Sequence, residues 1–244
     1  SPTITPTSTI TRLPTQTTTL TPLPTLEPEQ AREIISTFMQ DATFCATPCF
    51  LGIRPGKTTL GEAKDVFMHL GLTTEKITYA SKDFYDSSYD FESGLSISGN
   101  LTVQEEVVRN LRLNIHPETQ KAGSPREWLA FSPETLINRY GLPSKVEIHV
   151  SWDLYPWFEM IMYFDTDNVI VNYMGSDISS TQPGLTYVCP LSAQFELISV
   201  WMGEDPIYPP RKAVPLEKAT SMTIEEFSEL ITGDPGNACF QVKE

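Results

Sequence analysis

The chain lacks most of what would carry it to nucleic acid, into a membrane or onto a metal. Lys and Arg number 17 against 31 Asp and Glu, for a formal net charge of −14. A phosphate backbone is bound by clustered cations, so nucleic acid is excluded as a partner. No polybasic run is present for an anionic lipid surface, and acidity of this size reads as solubility. No stretch approaches the ~20 apolar residues of a spanning helix. Histidine is scarce: His69, His116 and His149 are the three present, and no two stand at a metal-ligand spacing.

Catalytic motifs are missing as well. Gly52-Ile53-Arg54-Pro55-Gly56-Lys57-Thr58-Thr59 has three residues between its glycines, where a P-loop has four. It reads instead as a turn entering a capped helix. There is no Gly-x-Ser-x-Gly elbow for a nucleophilic serine. Asp165-Thr166-Asp167-Asn168 lacks the glycine and terminal Glu of a calcium loop and reads as a hairpin turn. Acidic residues such as Asp83, Asp86, Asp90 and Glu92 are too many for any pair to stand out as glycosidase carboxylates. No cofactor, metal or reaction is indicated.

What is abundant lies at the N-terminus. Ser1 to Pro28 contains eleven Thr and six Pro, with Arg12 and Glu27 its only charges. Such a segment has little apolar surface to offset the entropy of ordering, and its prolines favour extended backbone. We read residues 1–28 as a disordered stalk and 29–244 as one globular domain. A stalk of this kind suggests a protein held away from a cell surface or envelope. No signal peptide opens the chain, so an exported form is expected to have lost its signal, and a lipid or helical anchor would lie upstream of Ser1.

Four cysteines, Cys45, Cys49, Cys189 and Cys239, fit an oxidising compartment. Of the three pairings that four cysteines allow, we favour Cys45–Cys49 inside a loop and Cys189–Cys239 tying down the C-terminal segment. The latter would close a long loop and contribute roughly 4 kcal/mol in the chain-entropy account. The rival, a zinc site, lacks a second closely spaced pair and a nearby His.

Along the domain, Pro28–Ala42 reads as a helix with Ile34, Ile35, Phe38 and Met39 on one face. Thr59 and Glu62 form a capping box ahead of the stripe Ala63, Val66, Phe67 and Leu70, stopped at Gly71. Strands are expected at 76–80, 84–91, 95–98 and 109–115; in the last, Leu111, Leu113 and Ile115 alternate with Asn110, Arg112 and Asn114. The order then recurs. Ser132 and Pro133 start a helix that stops at Gly141, followed by strands at 146–152, 158–165 and 169–174. Candidate repeats are therefore 50–117 and 124–176. The C-terminal segment 185–244 adds strands at 186–189 and 195–202 and a helix at 224–231. The fold class is α+β: an antiparallel sheet with short helices on one side.

Trp152-Asp153-Leu154-Tyr155-Pro156-Trp157-Phe158 is the most distinctive surface candidate. Pro156 forces part of it into a loop, and aromatic rings are enriched at interface hot spots. Tyr155 and Trp157 are the exposed binding pair on this reading; Trp152 and Phe158 point inward.

Two resemblances add to this. Pro48-Cys49-Phe50-Leu51-Gly52-Ile53-Arg54-Pro55-Gly56-Lys57-Thr58-Thr59 resembles the PCW-x-GI-x-PG-x-TT signature of uncharacterised exported bacterial proteins, many of them classed as lipoproteins with Thr/Pro-rich stalks. Phe50 stands where Trp is usual. Tyr140-Gly141-Leu142-Pro143 and Tyr163-Phe164-Asp165 look like the same family. Short helix, Gly-x-Pro and meander also resemble the repeat of the outer-membrane assembly lipoprotein BamE and of β-lactamase inhibitor proteins. Gly141 and Pro143 carry that likeness, while the first unit has Thr73 in place of Pro. The first resemblance brings no activity with it, and the second implies a fold, shared by exported protein-binding modules. The stalk, the disulfides and the absence of a catalytic signature lead us to expect a surface-anchored, extracytoplasmic, non-enzymatic module that binds an envelope or extracellular protein or serves envelope assembly. The alternative expectation is a secreted hydrolase acting on carbohydrate or peptide.

Overall fold

In the computed structural model, residues 24–41, 49–79, 82–121, 126–152, 156–176, 178–182, 185–190, 195–204, 212–233 and 238–243 are described. The alternation in the sequence builds the main sheet. Its first half contains β1 (Glu75–Tyr79), β2 (Lys82–Asp90), β3 (Ser96–Gln104) and β4 (Val107–His116). Its second contains β5 (Lys145–Ser151), β6 (Trp157–Phe164) and β7 (Val169–Gly175). After β8 (Ile178–Gln182) and β9 (Leu185–Val188) comes β10 (Phe195–Gly203), then β11 (Val214–Pro215) and β12 (Phe240–Lys243).

The nine-stranded sheet runs β1-β2-β3-β4-β10-β7-β6-β5-β11, and β12-β9-β8 form a smaller sheet. Every neighbouring pair is antiparallel. Late in the chain, β10 joins the halves by pairing with β4 on one side and β7 on the other.

One face of the sheet is the core. Leu111, Leu113 and Ile115 of β4 point into it, with Met160 and Met162 of β6 and Ile198 and Val200 of β10. Short helices cover this face: α1 (Pro28–Gln40), α2 (Leu60–His69), α3 (Pro133–Tyr140), α4 (Leu216–Thr220) and α5 (Ile224–Gly233). Their buried stripes include Ile35, Phe38 and Met39 of α1, Ala63 and Phe67 of α2, and Phe227 and Ile231 of α5. Phe38 contacts the rings of Phe50 and Phe131, and the Tyr173 hydroxyl donates to the Phe131 carbonyl at 2.9 Å.

The expected caps are present. The Thr59 side chain accepts from the Glu62 amide, and the Glu62 carboxylate accepts from the Thr59 amide at 2.8 Å. That second bond holds the Glu62 carboxyl below its ordinary range. Ser132 caps α3 by accepting from the Thr135 amide. Gly71 and Gly141 end α2 and α3 at φ +71° and +82°, angles that a side chain would strain. The Gly52–Thr59 segment is indeed a turn into a capped helix. Its Gly56 amide donates to the Val108 carbonyl, which docks it on β4.

Several boundaries differ from expectation. Residues 1–23 and Cys45 lie outside the described residues, but 24–27 are bound to the domain. There the Leu26 amide donates to the His69 carbonyl, and His69 Nδ1 donates to the Pro24 carbonyl. β3 runs well past the expected 95–98: Gly99 and Asn100 continue the strand, with Gly99 paired to Ser87 on one side and Leu113 on the other. The β3–β4 turn uses Glu105 and Glu106, both at positive φ, rather than the Asn-Gly that announces such a hairpin.

The recurrence of helix then meander is present in order. Since β4 and β7 both run antiparallel to β10, they are parallel to each other. The meanders then spread from β10 in opposite directions, with helices on the same face. No rotation superposes such a pair.

Candidate functional site

The second face of the sheet carries the polar half of each alternation. Cross-strand register sets it out in rows. Asp86, Asn100, Arg112 and Trp201 are successive partners across β2, β3, β4 and β10. Ser88, Ser98, Asn114, Ser199 and Asn172 form the next row, ending on β7. Neighbours are tied side chain to side chain. Asn100 Nδ2 donates to Asp86 Oδ1, and Ser199 Oγ donates to Asn114 Oδ1 at 2.8 Å. The Arg112 guanidinium lies over the Trp201 ring, 4.9 Å from its centre, a cation–π contact that fixes a long side chain.

Over β1 to β4 these rows floor an open groove of about 680 Å³. Asp86, Asn100, Arg112 and Asn114 line its floor, with Glu75 and Ile77 of β1 on its outer side. Glu75 and Asp86 are direct register partners. The groove offers amide, hydroxyl, carboxylate and guanidinium groups plus an apolar strip formed by Ile77 and Phe84. That set can hold a ligand by hydrogen bonds and charge. Among the described residues, no group of three or more His, Cys, Asp or Glu converges as a metal site would need.

Toward β5 the same face is closed. Glu159 and Asn172 are buried, as are Ile161 and Ser199. Asn172 Nδ2 donates to Glu159 Oε1 at 2.7 Å. At the margin, the Tyr163 hydroxyl donates to Glu147 Oε2 at 2.7 Å, and Lys145 bridges to the other oxygen of the same carboxylate at 2.7 Å. Burial, reinforced by the Glu147 hydrogen bond, pushes the Tyr163 phenol well up from its ordinary value.

The sequence-predicted residues fall elsewhere. Tyr155 lies outside the described residues. Trp157 opens β6, half-buried, edge-on to His149 at 5.2 Å between ring centres. It is three strand spacings from β4, roughly 14 Å, and the fold does not bring it into the groove. Phe158 is buried as expected, whereas Trp152 is 41% exposed and its indole donates to Thr186 Oγ1 at 3.1 Å. Cys189 and Cys239 are bonded, and Cys49 is buried and disulfide-bonded.

Sequence reasoning missed the groove residues. A signal lies in the alternation of β4, whose polar half is Asn110, Arg112 and Asn114; the rows these form with β2 and β3 come from register. No family model, curated protein or solved structure matches this chain.

Proposed function

We propose that this is an extracytoplasmic binding module that engages another polypeptide through the open polar face of β1 to β4. The groove itself carries the reading: a preformed, hydrogen-bonded set of Asp86, Asn100, Arg112 and Asn114 on a rigid sheet, next to exposed Ile77. Sites built on strands hold such groups in place without ordering cost at binding. The Cys189–Cys239 disulfide supports an oxidising compartment, and the Thr/Pro-rich N-terminus supports display at a distance from an anchor. No described helix is long and apolar enough to cross a membrane.

The test is crosslinking in native cells with the unaltered protein and with Asn100→Ala/Arg112→Ala/Asn114→Ala. Recovery of one envelope or extracellular protein by the first and not the second is the expected result. Equal recovery by both would remove the groove from the site.

A second reading, a secreted hydrolase acting on carbohydrate or peptide, draws on the Glu75–Asp86 pair across β1 and β2. The openness of the groove and the engagement of Asp86 by Asn100 favour binding over catalysis. Hydrolysis of a glycan or peptide panel that Asp86→Asn abolishes would reverse this preference.

A further inference from the structure

We propose that β1 is the docking strand of this module, completed by an extended basic polypeptide that adds to the sheet edge. The proposal rests on the binding reading above and names the partner's chemistry. β1 ends the nine-stranded sheet and pairs with β2 alone among the described residues. Glu75, Lys76, Ile77 and Thr78 are all exposed, on both faces of the strand, and Ile77 is 44% exposed. A strand that buries none of these side chains is held by its ladder to β2 and leaves an outward row of backbone N–H and C=O groups open to pairing.

Edges are usually blunted by charge or proline. Here Lys76 is already taken by Asp83, at 2.7 Å, on the face opposite the groove. The other end of the sheet is blunted: β11 is two residues long and finishes in Pro215, which has no N–H to offer.

The side chains select the occupant. Glu75 and Ile77 of β1 line the groove, and Asp86 is the partner of Glu75. An added strand projects every second residue over the groove. One such residue meets Ile77 and the next on that face, two positions along, meets the Glu75–Asp86 carboxylates, so the sequence that fits carries apolar and basic side chains in turn at every second position. Arg112, held over Trp201 on the far side of the groove, disfavours a second cation there and limits the basic contacts to the β1 side. The overall charge of −14 favours the approach of a cationic segment.

The probe, a Lys–Val peptide, is an acetylated ten-residue strand built on the repeat Val-Thr-Lys-Thr, so that one face carries Val and Lys in turn; it is titrated against the full chain by calorimetry, with hydrogen exchange to locate it. Its controls replace Lys by Glu, or place Pro at the centre. The Lys–Val peptide is expected to bind, to protect amides of 75–79 and to lose about tenfold in affinity to Glu75→Lys; the controls do not bind. Absence of Lys–Val binding, protection that excludes 75–79, or equal binding of the Glu–Val peptide overturns the proposal. So does protection of 75–79 that rises with protein concentration in the absence of peptide, since a second copy would then be the occupant. If the cellular partner is still lost on substitution of Asn100, Arg112 and Asn114 while no peptide protects β1, strand addition fails and the groove reading stands. If partner capture ignores the groove as well, both fail.

Discussion

The two ends of the main sheet are built on opposite plans. At the β5 end, β11 pairs with β5, α4 packs between β5 and β12, and the small sheet is tied by the Cys189–Cys239 bond and the Trp152–Thr186 hydrogen bond. Buried Phe227 of α5 meets Phe240 of β12 edge-on. At the β1 end none of these devices recurs among the described residues, and the last strand is exposed on both faces. Closing one end gives the domain a fixed frame. Leaving the other open keeps pairing capacity where the groove lies. On the proposed reading, stability and recognition are separated along a single sheet.

The most severe way to break the contrast is to unpin the closed end. Cys189→Ser with Cys239→Ser removes a crosslink spanning 50 residues and is expected to cost about 4 kcal/mol. Urea unfolding measures the loss, and hydrogen exchange should show β9 and β12 opening ahead of β3 and β4. An unchanged midpoint would mean that packing around Phe227, not the crosslink, holds this end.

The opposite change tightens the open half without touching its edge. Glu105 and Glu106 hold φ +52° and +61° in the two-residue turn between β3 and β4, a conformation that Asn and Gly adopt at less cost. Glu105→Asn with Glu106→Gly should raise stability by about 1–2 kcal/mol in thermal or urea unfolding. Exchange at 75–79 should stay as it was, because the edge is open for want of a neighbour rather than for want of a good turn. Slower exchange in β1 would contradict that explanation.

The turn also shows what a sequence discloses. Helix starts were legible because a cap is a local event: Thr59 with Glu62, and Ser132 ahead of Pro133, needed no distant partner. The strand at 109–115 was legible because one half of its alternation is apolar. β3 is longer than expected because Gly99 and Asn100 are turn-forming residue types, held in the strand by ladders on both sides. The position of β10 between the halves depends on a pairing more than 80 residues back along the chain, since Ser199 lies opposite Asn114. Nothing local encodes that pairing, so the continuation of the rows onto β10 and β7 could not be read. Trp157 was singled out for its chemistry, while the residues that form the groove are individually ordinary and acquire meaning by register.

A smaller change probes the link between the two sheets. Thr186 is fully buried and accepts from the half-exposed indole of Trp152. Thr186→Val keeps the shape and removes the acceptor, for a loss of about 1 kcal/mol in urea unfolding. The effect should appear as faster exchange in β9 with β1 unaffected. A change in β1 would show that the ends are coupled through the sheet.

The slightest effect is expected from pH, and it acts on the open end. The Lys76 ammonium, and after it the Thr78 hydroxyl, hold the Asp83 carboxyl below its usual range. The same contact raises Lys76. For Asp83 the folded arm prefers the ionised form. Its contribution is complete above the unfolded value of about 3.9 and is lost as pH falls through the lower folded value. For Lys76 the sign is opposite: the contribution is complete below the unfolded value of about 10.4 and is lost as pH rises through the higher folded value. The β1–β2 arm is therefore best ordered between these limits. Backbone carbon shifts of Ile77 and Thr78 should drift toward coil values as pH is lowered below about 4, while those of β12 hold. Asp83→Asn should show the partly loosened shifts at neutral pH and no further change on acidification. If β1 and β12 instead lose structure together, at one pH, the sheet melts as a unit and its open end is no looser than its closed one.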